Sequence, residues 1–350
     1  MPVVSVVIPH SGGKDYLLEC LSSLQNSDFT DFETIIVING DVDEDVVLYK
    51  DMLPSVHILH YPQRIGFAAA CNRGVEIARG EYIFLLNNDA YVDNETLGRL
   101  VDKVKESEQY ATVVPKLLSA KHRGYFDYSS AAGGDLDPYG IPFAKGRVFD
   151  DIEKDNGQYD SGGEVFWGAG AGLLLRRDVY LESGGLAEFF FAHMEEIDML
   201  WRFHLMGYKV VSDCSSRVYH YGAATIKDAS FMKLYLNHRN SIALLLRNYS
   251  LFNIIRYVPV RLMMDLGFAV LSALRGDFKR FSAILRAIFW VFFSLPLLIR
   301  GRIAVQRLRK INDSVILHRL YNRSVAIDYF LLKRKTWKEL QDNKSSCVSG

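Results

Sequence analysis

Three groups of residues in this sequence have the types and spacing for chemistry. The first is Asn87-Asn88-Asp89, which follows directly on the apolar run Tyr82–Leu86. Four to eight apolar residues bounded by turn-formers read as a buried strand, so a carboxylate is delivered at a strand's end. In an open α/β sheet, ligands bind off the carboxyl ends of the strands. A lone Asp there, with two amides beside it, suits a hard cation and its phosphates, because Mg²⁺ keeps several waters and needs only one or two carboxylates. A solvated Asn-Asn-Asp turn is the plain alternative. The second group is Glu195-Glu196-Ile197-Asp198, three acids at the predicted start of a helix. The macrodipole favours carboxylates there with or without a catalytic task. The third is His220, a lone histidine after a short apolar stretch, a type more often found in a core or on a surface than on a ligand.

The elements that must position these groups alternate. Val3–Ile8 is a β-branched strand stopped by Pro9, and a helix follows with Tyr16, Leu17, Cys20, Leu21 and Leu24 on one face, capped by Gly13 or Asp15. Phe32–Ile38 is a second strand ending at Asn39-Gly40-Asp41, and Val56–Leu59 a third. Gly66-Phe67 opens a helix that Gly80 stops, ahead of the strand at Tyr82. Thr96–Glu108 reads as an amphipathic helix, Thr112–Leu117 and Lys209–Val211 as strands, and the polar stretch from about Ser119 to Gly163 as long loops or hairpins at the edge of a site. Strand-helix alternation with short connections predicts an α/β fold with a doubly wound, mostly parallel sheet. The globular part is expected to end near His220-Tyr221-Gly222.

Taken in order, Val4–Pro9, Gly66-Phe67 with Asn72-Arg73-Gly74, Asn87-Asn88-Asp89, Gly184-Gly185, Glu195-Glu196-Ile197-Asp198 and Tyr219-His220 resemble the inverting family-two glycosyltransferases with the GT-A fold, the nucleotide-diphospho-sugar transferase fold. The likeness is greatest to the rhamnosyltransferase-like branch, and it covers roughly residues 1–225. The resemblance implies that Asp89 helps hold Mg²⁺ or Mn²⁺ on the donor diphosphate and that His220 completes the metal site; imidazole suits Mn²⁺ better. It assigns the nucleotide-sugar to Pro9, Ser11, Gly66, Phe67, Asn72 and Asn88, with Asn39 or Asp41 replacing the carboxylate that usually ends the second strand. Arg64 stands where the family often has Asn. In the family the second acid of the acidic motif is the general base, which implies Glu196, with Glu195 and Asp198 positioning the acceptor or bracing the loop. Trp167, ahead of a run of glycines, is expected to line the acceptor site or to be a core aromatic beside small residues. The implied reaction moves a sugar from a UDP-, dTDP- or GDP-sugar to a lipid-linked or polysaccharide acceptor in cell-surface glycan assembly.

Net charge is zero, yet eighteen of the 41 Lys/Arg and only six of the 41 Asp/Glu lie from Leu251 onward. Such asymmetry points to a membrane surface or nucleic acid as partner. The basic residues are interleaved with long aliphatic runs, which favours lipid over nucleic acid. Leu251–Leu274 and Phe278–Ile299 are strongly apolar but interrupted, the first by Arg256, Pro259, Arg261 and Asp265, the second by Arg286 and Pro296. A clean span wants about 20 apolar residues with few charges. Arg261, Asp265 and Ser272 share one helical face, as interfacial helices arrange their polar residues; transmembrane spans and a soluble helical cap or dimer interface are the alternatives. The expected division is therefore a catalytic domain over 1–230 and a basic, amphipathic, membrane-associating region over 231–350, at the cytoplasmic face of the cell membrane, with a homo-oligomer left open. Cys20, Cys71, Cys214 and Cys347 show no metal spacing, and no signal peptide is visible, so a reducing compartment is expected. A nucleotidyltransferase acting on sugar phosphates is the competing enzyme, but no Gly-rich phosphate loop follows Val3–Ile8. A non-enzymatic nucleic-acid binder using the basic tail is the competing non-enzyme.

Overall fold

The β-branched run at the N-terminus forms β1 (Val4–His10), buried along its whole length at the centre of the sheet. The structure, a computed structural model, describes residues 1–41, 46–53, 55–222 and 230–346. From β1 the chain passes through α1 (Lys14–Gln25), β2 (Phe32–Asn39), α2 (Val46–Met52), β3 (Val56–Tyr61), α3 (Phe67–Ile77), β4 (Tyr82–Leu86), β5 (Ala90–Val92), α4 (Thr96–Lys105) and β6 (Tyr110–Ser119). A four-stranded antiparallel sheet follows, made of β7 (Gly134–Leu136), β8 (Pro142–Ala144), β9 (Arg147–Val148) and β10 (Asp151–Ile152). Then come β11 (Gly163–Val165), β12 (Gly172–Arg176), α5 (Arg177–Ser183), α6 (Glu195–Leu205) and β13 (Lys209–His220). The C-terminal helices are α7 (Phe231–Asn248), α8 (Leu251–Leu274), α9 (Phe278–Phe293), α10 (Leu295–Leu308), α11 (Asp313–Arg319), α12 (Val325–Phe330) and α13 (Trp337–Ser346).

The main sheet has nine strands in the order β11-β13-β6-β12-β4-β1-β2-β3, with β5 added to β13. Strands β1 to β4 pair in parallel and β6 pairs in parallel with β13, while β12 runs antiparallel between β4 and β6. The chain winds outward from β1 through β2 to β3, then returns to the other flank of β1 with β4. That reversal makes the β1/β4 junction the topological switch point, where open α/β sheets place their ligands.

Several readings from sequence change here. Of the loops or hairpins expected over 119–163, the hairpins form, joined into the small sheet. Strand β13 is twelve residues long instead of three, because the polar Asp213, Ser215 and Ser216 hide its continuation through an irregularity in register between Asp213 and Arg217. Gly13, with φ of 85°, caps α1, and Asp15 lies in its first turn. The globular part does not end at Gly222. Ile242, Leu244 and Leu245 of α7 and Tyr249 just after it sit in the same buried cluster as the main sheet, so a boundary at 230/231 divides one core. Cys20, Cys71 and Cys214 are free and buried, and Cys347 lies outside the described residues.

Candidate active site

The switch point brings two loops into contact. The Asn88 side chain, after β4, donates to the Gly12 carbonyl after β1 at 2.9 Å. Because β5 pairs with β13 with Ala90 opposite His220, the last residue of β13 is set beside Asp89. Asp89 Oδ1 lies 3.2 Å from His220 Nε2, and both side chains are buried. Asn87 Nδ2 stands 3.3 Å from the same nitrogen. His220 Nδ1 faces Asp127 Oδ1 at 3.1 Å, and that oxygen also accepts from the Ser129 amide. Burial opposes the imidazolium, but the hydrogen bonds and charges of Asp127 and Asp89 outweigh it and raise the His220 pKa to about 10.

This donor pair fits a divalent ion. Two ligands at about 2.1 Å from one ion and at right angles stand about 3 Å apart, close to the separation of Asp89 and His220. A carboxylate on the second nitrogen is how metal-bound histidines are oriented, and Asp127 supplies it. No cluster of three or more His, Cys, Asp or Glu suited to a metal occurs among the described residues. A bound Mg²⁺ or Mn²⁺ would take further ligands from a diphosphate and water.

The acidic helix is the second centre. Glu195 is buried and Glu196 half-buried at the first turn of α6. Burial raises both carboxyls above the usual range, Glu195 well above it, where the neighbouring Glu196 charge adds to the effect. Glu196 Oε1 accepts from the Gly170 amide at 3.1 Å. Only glycine fits at that amide, since a Cβ on Gly170 would lie 2.8 Å from Phe67 Cζ and 3.1 Å from Glu196 Oε1. One residue further on, the Ala171 carbonyl accepts from the Asn87 amide at 3.3 Å. The Gly168–Ala171 loop therefore touches the Asn87-Asn88-Asp89 loop with one residue and the acidic helix with the previous one. Gly66, at φ of 91°, and Phe67 open α3 against the same region, where Gly66 faces the Phe191 ring.

Other expected site residues have structural tasks. The Asn72 amide is fully engaged: Nδ2 donates to the Leu186 carbonyl and Glu188, and Oδ1 accepts from the Tyr180 hydroxyl and the Leu186 amide. It braces the Gly184-Gly185-Leu186 turn instead of meeting the donor. Asp198 is wholly buried and paired with Arg202, Arg247 and Asn248, which hold it below the usual carboxylate range against its burial. It ties α6 to α7 and is no candidate for proton transfer. Trp167 is buried, donates to the Asp135 carbonyl at 2.8 Å, and lies so flat on Gly134 that a Cβ there would meet its ring at 2.1 Å. It is the core aromatic of the two readings. Asn39 spends its side chain on the Ile65 amide and the Gly66 carbonyl, holding the entry to α3. Pro9 is buried within β1 opposite Val37. Ser11 is half-exposed, its carbonyl accepting from Arg64, and Asp41 is exposed beyond β2.

Sequence reasoning missed three features. Asp127 gave no signal, because it lies in the polar stretch read as loop. Gly170 was visible only as one of several glycines. The third is Arg239-Asn240 on α7. The loop before α6 holds Phe191, His193 and Met194 at φ of 67°, 67° and 73°, a region costing L-residues about 1–2 kcal/mol each. Asn240 Nδ2 lies 3.1, 2.9 and 2.7 Å from the carbonyls of Phe190, Ala192 and His193, and Arg239 donates to those of Phe189 and Phe190. The signal was the pair of side-chain donors in Arg239-Asn240, repeated eight residues later in Arg247-Asn248.

Residues 5–158 match the model of Glycosyl transferase family 2. The chain is 30% identical over 111 residues to Glycosyltransferase GlyG of Streptococcus pneumoniae serotype 4, a match over 30% of this chain and 36% of that protein. It spans about a third to a half of the length of the curated relatives it matches. Among solved structures it superimposes on the mannosyltransferase PcManGT of Pyrobaculum calidifontis in complex with GDP-Man and Mn²⁺ with a TM-score of 0.51 at 14% identity, over 95% of this chain and 88% of that one. For GalNAc-T7 with UDP, GalNAc and Mn²⁺ the TM-score is 0.56 at 15% identity, over 84% and 57%. The fold is thus GT-A with a helical C-terminal region, and these matches support a family-two glycosyltransferase.

Proposed function

We propose that the chain transfers a sugar from a UDP-, dTDP- or GDP-sugar to a hydroxyl of a lipid-linked or polysaccharide acceptor, with inversion, at the inner face of the cell membrane. The observation that carries this reading is the Gly168–Ala171 loop, which bonds to Asn87, two residues before Asp89, and to Glu196. This link supports a cation-holding pair and a proton acceptor that serve one reaction. A divalent ion held by Asp89 and His220 would neutralise the donor diphosphate and favour its departure. Asn88 and the Ser11–Gly13 loop form the floor under the nucleotide. Glu196, with one oxygen held by the Gly170 amide, has the other to accept the acceptor hydroxyl's proton. The hydroxyl oxygen bonds to the anomeric carbon as the bond to the diphosphate breaks, and the bonding electrons leave with the diphosphate. Its raised pKa brings Glu196 towards the range where a base works best. The nucleotide-sugars printed with the two structural neighbours support a nucleotide-sugar donor, and their Mn²⁺ supports a metal. The order of motifs alone supports the rhamnosyltransferase-like branch. The test is Glu196→Gln, expected to keep donor binding and to lose about 10²–10⁴-fold in turnover, with Asp89→Asn losing donor binding instead. Wild-type turnover in Glu196→Gln would move the base elsewhere.

A further inference from the structure

Helix α8 is amphipathic the wrong way round for a soluble protein. Its polar residues face inward: Arg261 is 4% exposed and Asp265 3%, and Asn253 and Ser272 are buried with them. Its apolar residues face outward, with Phe252 73% and Leu274 80% exposed. The pattern continues on the next two helices, where Phe289, Phe292, Phe293 (84% exposed), Leu297, Ile299 and Ile303 are uncovered. Between α8 and α10 a groove of about 620 Å³ lined by Leu251, Ile254, Leu295, Leu298, Ile299 and Ile303 joins the two apolar surfaces. Arg256, Arg275, Lys279, Arg286, Arg300, Arg307 and Lys310 are exposed around them. Two acids occur between 251 and 310: Asp265 is buried, and Asp277 is half-buried beside Arg280.

We propose that this face rests on an anionic lipid bilayer, with α8 lying in the plane of the membrane and not crossing it. Apolar surface of this extent marks an interaction site, and its rim selects the partner. A second copy using the same patch would set mostly cations against cations, because a two-fold contact presents one surface to itself and the acids at its rim are Asp277, already beside Arg280, and Glu182, already beside Lys310. Anionic headgroups complement the rim, and acyl chains complement the centre. Helix α8 is long and apolar enough to span, with a mean hydropathy of 1.4. Its buried stripe forbids it: Arg261 donates to the Tyr139 carbonyl and Ser241, Asp265 pairs with His238, and Asn253 donates to Asp313. A spanning α8 would strip these groups of their partners inside hydrocarbon. The bent pair α9 and α10, at 69°, likewise follows a surface.

The proposal stands independently of the transfer reaction and is tested without turnover. Flotation of the full chain with vesicles of phosphatidylcholine containing one-third phosphatidylglycerol is expected to exceed that with phosphatidylcholine alone by at least about tenfold. Phe292→Glu with Phe293→Glu is expected to weaken it by at least about tenfold, and Arg275→Glu with Lys279→Glu to abolish the preference for anionic lipid. Both pairs are exposed, so thermal unfolding should be unchanged. Fluorophores on Phe252→Cys, Leu266→Cys and Leu274→Cys, in a Cys347→Ser background, should report one shallow depth. No flotation, indifference to the substitutions, a dimer made monomeric by the phenylalanine pair, or a Leu266 probe at the bilayer centre with the other two at its edges would each overturn the proposal.

Discussion

Asn240→Asp removes the donors from the α7 clamp while keeping the side chain's shape, and so asks whether a helix outside the main sheet positions the proposed base, Glu196. Asn240 is wholly buried, and its amide serves three carbonyls of the loop before α6. An aspartate offers them only acceptors. Leaving the two half-buried carbonyls of Ala192 and His193 unpaired costs at most about 1–3 kcal/mol each, or up to about 2–6 kcal/mol together. The loop's three left-handed residues store about 3–6 kcal/mol. The clamp and the strain are therefore of similar size, and without the clamp the loop is expected to relax. Glu195 and Glu196 follow directly on that loop, and a shift of about 1 Å in a reacting group costs about 10²-fold in rate. We expect donor turnover to fall about a hundredfold, while donor affinity, which we propose to lie with Asp89 and Asn88, changes less than about threefold. Single-turnover kinetics and calorimetric titration of the nucleotide-sugar measure the two separately, with Asn240→Ala as the uncharged control. Turnover within threefold of wild type in both variants, with lowered thermal stability, would refute the positioning argument and leave Asn240 as a tie between helices.

The acidic pair should govern the pH profile. Glu196 acts as a carboxylate with a raised pKa, so turnover should fall as pH drops through a value above 4.5, an apparent value belonging to the Glu195–Glu196 pair; stability runs the other way, since the fold favours both acids neutral and their cost is relieved as pH falls. Glu195→Gln mimics an acid already held protonated well above its usual range and should keep turnover within about threefold near neutrality, which a pH–rate series on both Gln variants checks. At the metal pair, Asp127→Asn should weaken Mn²⁺ binding by about 10–100-fold, followed by the Mn²⁺ paramagnetic resonance signal in the presence of nucleoside diphosphate. Unchanged affinity would mean that His220 is oriented without Asp127.

What could be read from sequence divides along physical lines. The strands at Val4 and Tyr82 and the carboxylate after the second were legible because a buried parallel strand is a continuous apolar run, and its end is an abrupt change of polarity. The pairing of Asp89 with His220 was reachable only through resemblance, since 131 residues separate them and the register of β5 on β13 makes the contact. Asp127, Gly170 and Asn240 could not be found that way. Asp127 and Asn240 meet a ring nitrogen and carbonyls of distant segments, Gly170 gives its own amide to the distant Glu196, and only the repeated Arg-Asn pair left a trace in the sequence. The same reason gave Asn72 to the donor and left two readings open for Asp198 and Trp167. An amide, a carboxylate and an indole look functional when their partners are invisible, and each proves to be consumed by a turn, a pair of arginines or a backbone carbonyl. The tail shows the converse. Periodicity correctly put Arg261, Asp265 and Ser272 on one face of α8, but a period cannot tell which face looks outward. Packing decided it, because Tyr139, Ser241 and His238 offer a charged stripe better partners than hydrocarbon would. The apolar face was left outside, and that inversion turns a compositional hint about lipid into a surface with a defined orientation.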